Sequence, residues 1–125
     1  MATVTPTRTN FVAPDGSVEL LTWTLTSTDV DGAPFQLTTH ADIVWQAIGT
    51  WGGATLTIQG SNTTTDAEFM SLSNAAGGTA ATFTADGLKQ TIEVPRYKRP
   101  KLTTAGVGAT VVVTALVRRN TPHRP

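Results

Sequence analysis

Two imidazoles, a pair of close aspartates, one basic run and a tryptophan beside glycines are the groups in this chain that could do chemistry. Nucleophilic catalysis needs a nucleophile, a base and a group that orients the base. The imidazoles are His40 and His123. His123 sits in a Pro-flanked tail that holds no fixed geometry. His40 has Asp42 two positions on, and in an extended segment both project from one face. No serine is framed beside them, so the pair reads as an ordinary loop contact. Asp29-Val30-Asp31-Gly32 opens like a calcium loop. Such a loop needs further oxygen ligands and a closing Glu. Ala33, Pro34 and Phe35 follow instead, so the motif reads as a turn. Cysteine is absent, which excludes disulfides, thiolate zinc sites and thiol catalysis. Neither an enzyme nor a bound cofactor or metal is expected.

The basic run is Arg96-Tyr97-Lys98-Arg99-Pro100-Lys101. A strand of this kind can track phosphates. Alternation splits it, because Arg96 and Lys98 project opposite to Tyr97 and Arg99. A solvated or protein-facing strand is the better reading, and nucleic acid is not an expected partner. Trp51, followed by Gly52-Gly53, marks a hairpin tip. Its ring either stacks on a sugar or anchors in a partner's pocket, or it folds back over its own sheet.

The elements that must position these groups are strands. Leu21, Trp23 and Leu25 share one face, with Thr22, Thr24 and Thr26 on the other. Leu56 and Ile58 alternate with Thr55, Thr57 and Gln59 in the same way. Ile43–Ile48 reads as a buried strand. Residues 28–32 read as a turn on the Asp-Gly signal, and Ala33–Leu37 as a short edge strand held there by Pro34. Short strands are expected at Glu68–Leu72 and around Phe83. Leu88–Val94 is read with Leu88, Ile92 and Val94 on one face. Tyr97–Leu102, interrupted by Pro100, is read as edge-like. Thr110–Arg119 is apolar on both sides and is therefore central or doubly covered. No convincing helix is found.

The fold class that follows is all-β: an antiparallel β-sandwich, jelly-roll-like, of about eight short strands. The expected organisation is an extended N-terminal arm over residues 1–17, a sandwich over 18–119 and a flexible tail over 120–125. The 125 residues suit a single domain. Threonine is roughly a fifth of the chain, in keeping with pleated, half-exposed strands. No run approaches the ~20 apolar residues of a membrane span. The first residues carry neither a basic nor an apolar leader region, so synthesis in a cytosol is expected. Net charge is zero, but all nine acids precede Pro95 and seven of the nine bases follow it. Such polarity can orient a subunit on a charged surface.

Several segments, taken in order, resemble a known family. They are Asp31-Gly32-Ala33-Pro34, Gly49-Thr50-Trp51-Gly52-Gly53 running on to Ser61-Asn62, and Phe83-Thr84-Ala85-Asp86-Gly87-Leu88. Pro95-Arg96-Tyr97-Lys98-Arg99-Pro100 and Val112–Arg119 complete the set. From about Trp23 to Arg119 the chain is similar to small head decoration, or cement, proteins of tailed bacteriophages. Thr63-Thr64-Thr65 departs from that pattern, where Gly or Trp is expected. The resemblance implies a β-sandwich or jelly-roll module on the outer capsid surface. It also implies a partner, the HK97-fold major capsid protein, and a homo-oligomer, dimer or trimer. It implies no catalytic residues. Exposure logic places partner contacts at the arm (Arg8, Phe11), at Trp51 and at the basic strand (Arg96, Lys98, Arg99, Lys101). The rivals are a carbohydrate- or receptor-binding sandwich using Trp51, and a tail or connector protein.

Overall fold

A computed structural model describes residues 3–10, 18–36 and 40–119. Twelve strands and one turn of 3-10 helix (Asp66–Glu68) make two sheets. In chain order the strands are β1 (Thr3–Val4), β2 (Thr7–Asn10), β3 (Val18–Thr26), β4 (Asp31–Gly32), β5 (Phe35–Gln36), β6 (His40–Thr50), β7 (Thr55–Ser61), β8 (Met70–Ser71), β9 (Thr82–Phe83), β10 (Gly87–Gln90), β11 (Tyr97–Thr104) and β12 (Thr110–Arg119). The first sheet runs β1-β4-β11-β7-β8, with β5 beside β11 and β9 beside β7; the second runs β10-β6-β12-β3-β2. β4 with β5 occupies one strand position, and β8 with β9 another. Without β1 and β2, each sheet then has four positions, and nearly every connection crosses from one sheet to the other. That is jelly-roll connectivity.

The sheets meet because one face of each long strand is apolar. Leu21, Trp23 and Leu25 on β3, Ile43, Trp45 and Ala47 on β6, and Val111, Val113, Ala115 and Val117 on β12 are all buried. Leu56, Ile58 and Leu102 oppose them from the first sheet. Trp23, Phe35 and Trp45 form the centre, with ring centroids 5.5 to 5.9 Å apart. Both indole N–H groups are satisfied: Trp23 donates to the Ala33 carbonyl at 3.1 Å and Trp45 to the Thr91 hydroxyl at 3.3 Å. A buried indole that found no acceptor would cost stability.

Four expectations need correcting. Thr3–Val4 and Thr7–Asn10, read as part of an extended arm with no strand assigned, are strands: β1 pairs with β4 and β2 with β3. Phe11 and the Pro14-Asp15-Gly16 turn lie outside the described residues, as do His123 and the tail. Asp31-Gly32 is a strand rather than a turn; the chain reverses one step earlier, where Thr26 N–H donates to the Asp29 carbonyl at 3.0 Å. The strand read over Leu88–Val94 stops at Gln90; Leu88, Ile92 and Val94 are all exposed, and Thr91 between them is the buried residue.

The fourth is β11, which is central rather than edge-like, lying between β7 and the β4/β5 position. Pro100 is tolerated there for a local reason. Leu102 N–H donates to the Val30 carbonyl at 2.9 Å, so alternate amides of β11 point toward β4 and β5. Pro100 has none to give, and it falls where the pairing of β11 passes from β4, opposite Asp31, to β5, opposite Phe35. Gly32 completes the fit: a Cβ there would lie 2.7 Å from the Pro100 ring.

Candidate docking surfaces

The basic strand does not present its charges as a patch. Lys98, Pro100 and Leu102 face the core, while Tyr97, Arg99 and Lys101 face out over the first sheet, as the cross-strand register requires. Lys98 is 0% exposed, and its ammonium has no hydrogen-bond partner among the described residues. Burial lowers its pKa from 10.5 to about 8, opposed weakly by the Glu93 carboxylate. Arg99 is 6% exposed. Its Nε donates to Gln59 Oε1 at 3.0 Å and Nη1 to Asp66 Oδ1 at 2.7 Å. The guanidinium lies 4.1 Å from the centre of the Phe69 ring. Lys101 pairs with Asp31 at 3.3 Å across neighbouring strands. Only Arg96 of this run is exposed, beside Tyr97. Buried Lys98 and Arg99 cannot reach a partner, so the docking role expected of them is corrected to a structural one.

Trp51 folds back. The ring is half-buried against the core, and Nε1 donates to Asp86 Oδ1 at 2.9 Å. The same oxygen accepts the Gly49 N–H at 3.0 Å. Behind this latch Gly52 has φ +55°, and a Cβ there would meet the Val107 carbonyl oxygen at 2.1 Å. Glycine is required because the backbone is left-handed and a second loop crosses directly over it. The bond from Trp51, and then that from Gly49, hold the Asp86 carboxyl below its usual pKa. Trp51→Phe removes the first bond and keeps the ring. The expected result, read by NMR titration, is an Asp86 pKa that moves back up toward the ordinary carboxylate value. A depressed carboxyl stabilises the fold above its unfolded pKa and loses that contribution as pH falls through the folded one. The variant should therefore lose less stability to acid than the parent.

Other acids among the described residues are also engaged. Glu93 accepts the Ser73 hydroxyl at 2.6 Å and the Ser73 N–H at 2.7 Å, and both bonds depress its pKa. Glu68 accepts from the Thr63 hydroxyl, and Arg8, half-exposed on β2, lies 3.7 Å from Glu19. Between Glu68, Met70 and Glu93 an open cleft of about 380 Å³ runs over Gly60 and Pro95. No group of three or more His, Cys, Asp or Glu converges as a metal site among the described residues. The side chains of His40 and Asp42 lie outside that description.

What the molecule does present is the outer face of the second sheet. The register aligns Val44, Leu116 and Leu20 in one row across β6, β12 and β3, and Ile48 with Val112 in another; Gln46, Thr114 and Thr22 lie between. Leu88 extends the face onto β10. Ile48, Leu88 and Val112 are 51%, 64% and 38% exposed, and Ile92 and Val94 beyond β10 are both 54% exposed. Isolated exposed aliphatics are ordinary, but a contiguous apolar field of this kind marks an interaction site. No single signal in the sequence separates these outer residues from core, because β6 and β12 are apolar on both faces. Neither a protein-family model nor any curated protein matches the sequence.

Proposed function

We propose that this is a non-enzymatic structural protein of a tailed-phage virion. In this reading it is a decoration protein that binds the outer surface of a shell of HK97-fold major capsid protein and stabilises the expanded head. It would be made in the host cytoplasm and reside on the capsid exterior. The observation that carries the reading is the apolar field on the outer face of the second sheet, which suits protein contact. The chemistry-bearing side chains support it: Arg99, Asp66, Asp86, Glu93 and Lys101 brace loops and strands. The Trp51 ring is committed to its own fold, which weighs against a sugar-stacking role. A clamp that binds the expanded shell and not the immature one stabilises the expanded state by mass action. Repeated copies multiply modest contacts. Cosedimentation with purified empty shells tests this. The protein should pellet with expanded shells and stay in solution with immature ones; failure to bind expanded shells would end the proposal.

A further inference from the structure

We infer that the open cleft over Gly60 is a docking site for a basic side chain, arginine or lysine, carried by a partner protein. Its lining holds two acids, Glu68 and Glu93, and no base. Both carboxylates are tethered by their own chain, Glu93 to the Ser73 N–H and hydroxyl and Glu68 to the Thr63 hydroxyl. A carboxylate offers about four lone-pair sites, so these bonds saturate neither group. They hold both in place ahead of any ligand, and an arriving guanidinium or ammonium makes charge-assisted bonds without first ordering them. The bonds from Ser73 also keep the Glu93 carboxyl below its ordinary pKa, so its charge persists in mildly acidic solution.

No cation among the described residues lines the cleft. Arg96 donates its N–H to Asn62 Oδ1 at 3.2 Å, but its guanidinium lies by the Tyr97 ring, 5.4 Å from the centre. Lys98 is buried within the sandwich, makes no hydrogen bond and acts on Glu93 only through its field.

The rest of the lining selects the ligand. Met70, Leu72 and Pro95 are apolar. Gly60 lets the last two close over the sheet, since a Cβ there would lie 2.5 Å from the Pro95 ring and 2.8 Å from the Leu72 side chain. A hard metal ion needs several oxygen ligands, and no third His, Cys, Asp or Glu joins the pair among the described residues. A long basic side chain suits the mixture: its methylene stem lies on apolar surface while its charged head meets the carboxylates. A protein fits better than a free small cation. Ile92 and Val94, which flank Glu93, are each 54% exposed, and only a larger partner covers them together with the cleft. The inference does not require that partner to be a capsid shell.

Amide NMR of the full chain, titrated with Nα-acetyl-arginine amide at constant ionic strength, tests it. Saturable shifts are expected at Gly60, Ser61 and Ser71, with a dissociation constant on the order of 1–10 mM. The citrulline analogue, neutral and of the same shape, should bind roughly tenfold more weakly or worse. A Val-Arg-Val peptide blocked at both ends should bind more tightly than the single residue and extend the shifts to Ile92 and Val94. Met70→Lys, at a side chain that is 65% exposed, gives the cleft a cation of its own and should abolish the shifts with circular dichroism unchanged. Glu68→Gln should weaken binding roughly tenfold and stands in if Met70→Lys fails to fold. No saturable shift, equal binding of citrulline, or binding indifferent to both substitutions overturns the inference. Calcium shifting the same amides at lower concentration would make the cleft a metal site and overturn it too. A peptide no tighter than the single residue would mark a site for a free small cation and overturn the assignment to a partner protein. All of these outcomes are read on the free protein, so shell binding stands or falls separately, on cosedimentation.

Discussion

Arg99→Ala is expected to lower the unfolding free energy by about 3 kcal/mol, in the range of substitutions that break a buried polar network. The same change should free the loop over residues 62–71. The guanidinium lies on the outer face of the first sheet, yet it is buried because that loop crosses above it. It bonds Gln59 beneath and Asp66 above, and the Phe69 ring covers its plane. Truncation removes all three contacts at once and leaves Phe69 with nothing to lie on. Arg99→Lys should rescue little, because an ammonium cannot make the forked contacts or stack as a plane. Asp66→Asn should cost far less, since the Asp66 side chain is 72% exposed and water competes for its half of the pair. Urea unfolding gives the stability change, and amide exchange at Phe69 reports the loop. Equal losses for Arg99→Ala and Asp66→Asn would contradict the assignment.

The acid limb of the same experiment has a definite sign. The hydrogen bond from Arg99, and then its charge, hold the Asp66 carboxyl below its ordinary pKa. That pairing stabilises the fold above the pKa of the unfolded carboxyl and is lost as pH falls through the folded value. Arg99→Ala should therefore show a flatter loss toward low pH than the parent.

Period-two alternation was legible wherever one face of a strand is apolar and the other polar. β3 follows it residue by residue, β7 places Leu56 and Ile58 inward as read although Thr57 on its other face is also buried, and the two-sided apolar run of β12 does belong to a central strand. The same rule leaves the side open for Leu88, Ile92 and Val94. Alternation says that they share a face but not which face is covered, and the jelly roll puts Lys89 and Thr91 on the inner side instead. Pro100 misled in another way. Proline argues for an edge because a ladder bond goes missing, and no reading of one strand could show that its neighbour is broken at that register. Asp31-Gly32 carries a strong turn signal, but Gly32 is there for close approach to Pro100.

The candidate site was legible only in outline. Trp51 beside its glycines marked a hairpin, and either fate of the ring was consistent with the local sequence. Asp86, which decides the matter, lies 35 residues away. The basic run was visible as a cluster, and alternation correctly divided it. What alternation could not supply is that Lys98 is covered by the opposite sheet and Arg99 by a loop that is itself polar. The apolar outer face was hidden by its resemblance to core.

Lys98→Met should raise stability at pH 7 by roughly 2–3 kcal/mol, because an ammonium in an apolar interior without a bonded counter-ion costs more than a methionine of similar shape. The lysine occupies an inward position between Gly60 and Phe35 across the sheet, with Pro100 the next inward residue on its own strand. Burial brings its pKa down from 10.5 to about 8. Above pH 8 the folded protein therefore binds fewer protons at this site than the unfolded chain does. Stability then rises with pH between about 8 and 10.5 and levels off on either side. The parent should show that rise in chemical unfolding at a series of pH values, and Lys98→Met should abolish it while lifting the neutral-pH end. A methionine variant that is less stable than the parent, or a parent whose stability falls through the same window, would mean that the ammonium is paired. The direction of the effect thus separates a core cation that strains the fold from one that braces it.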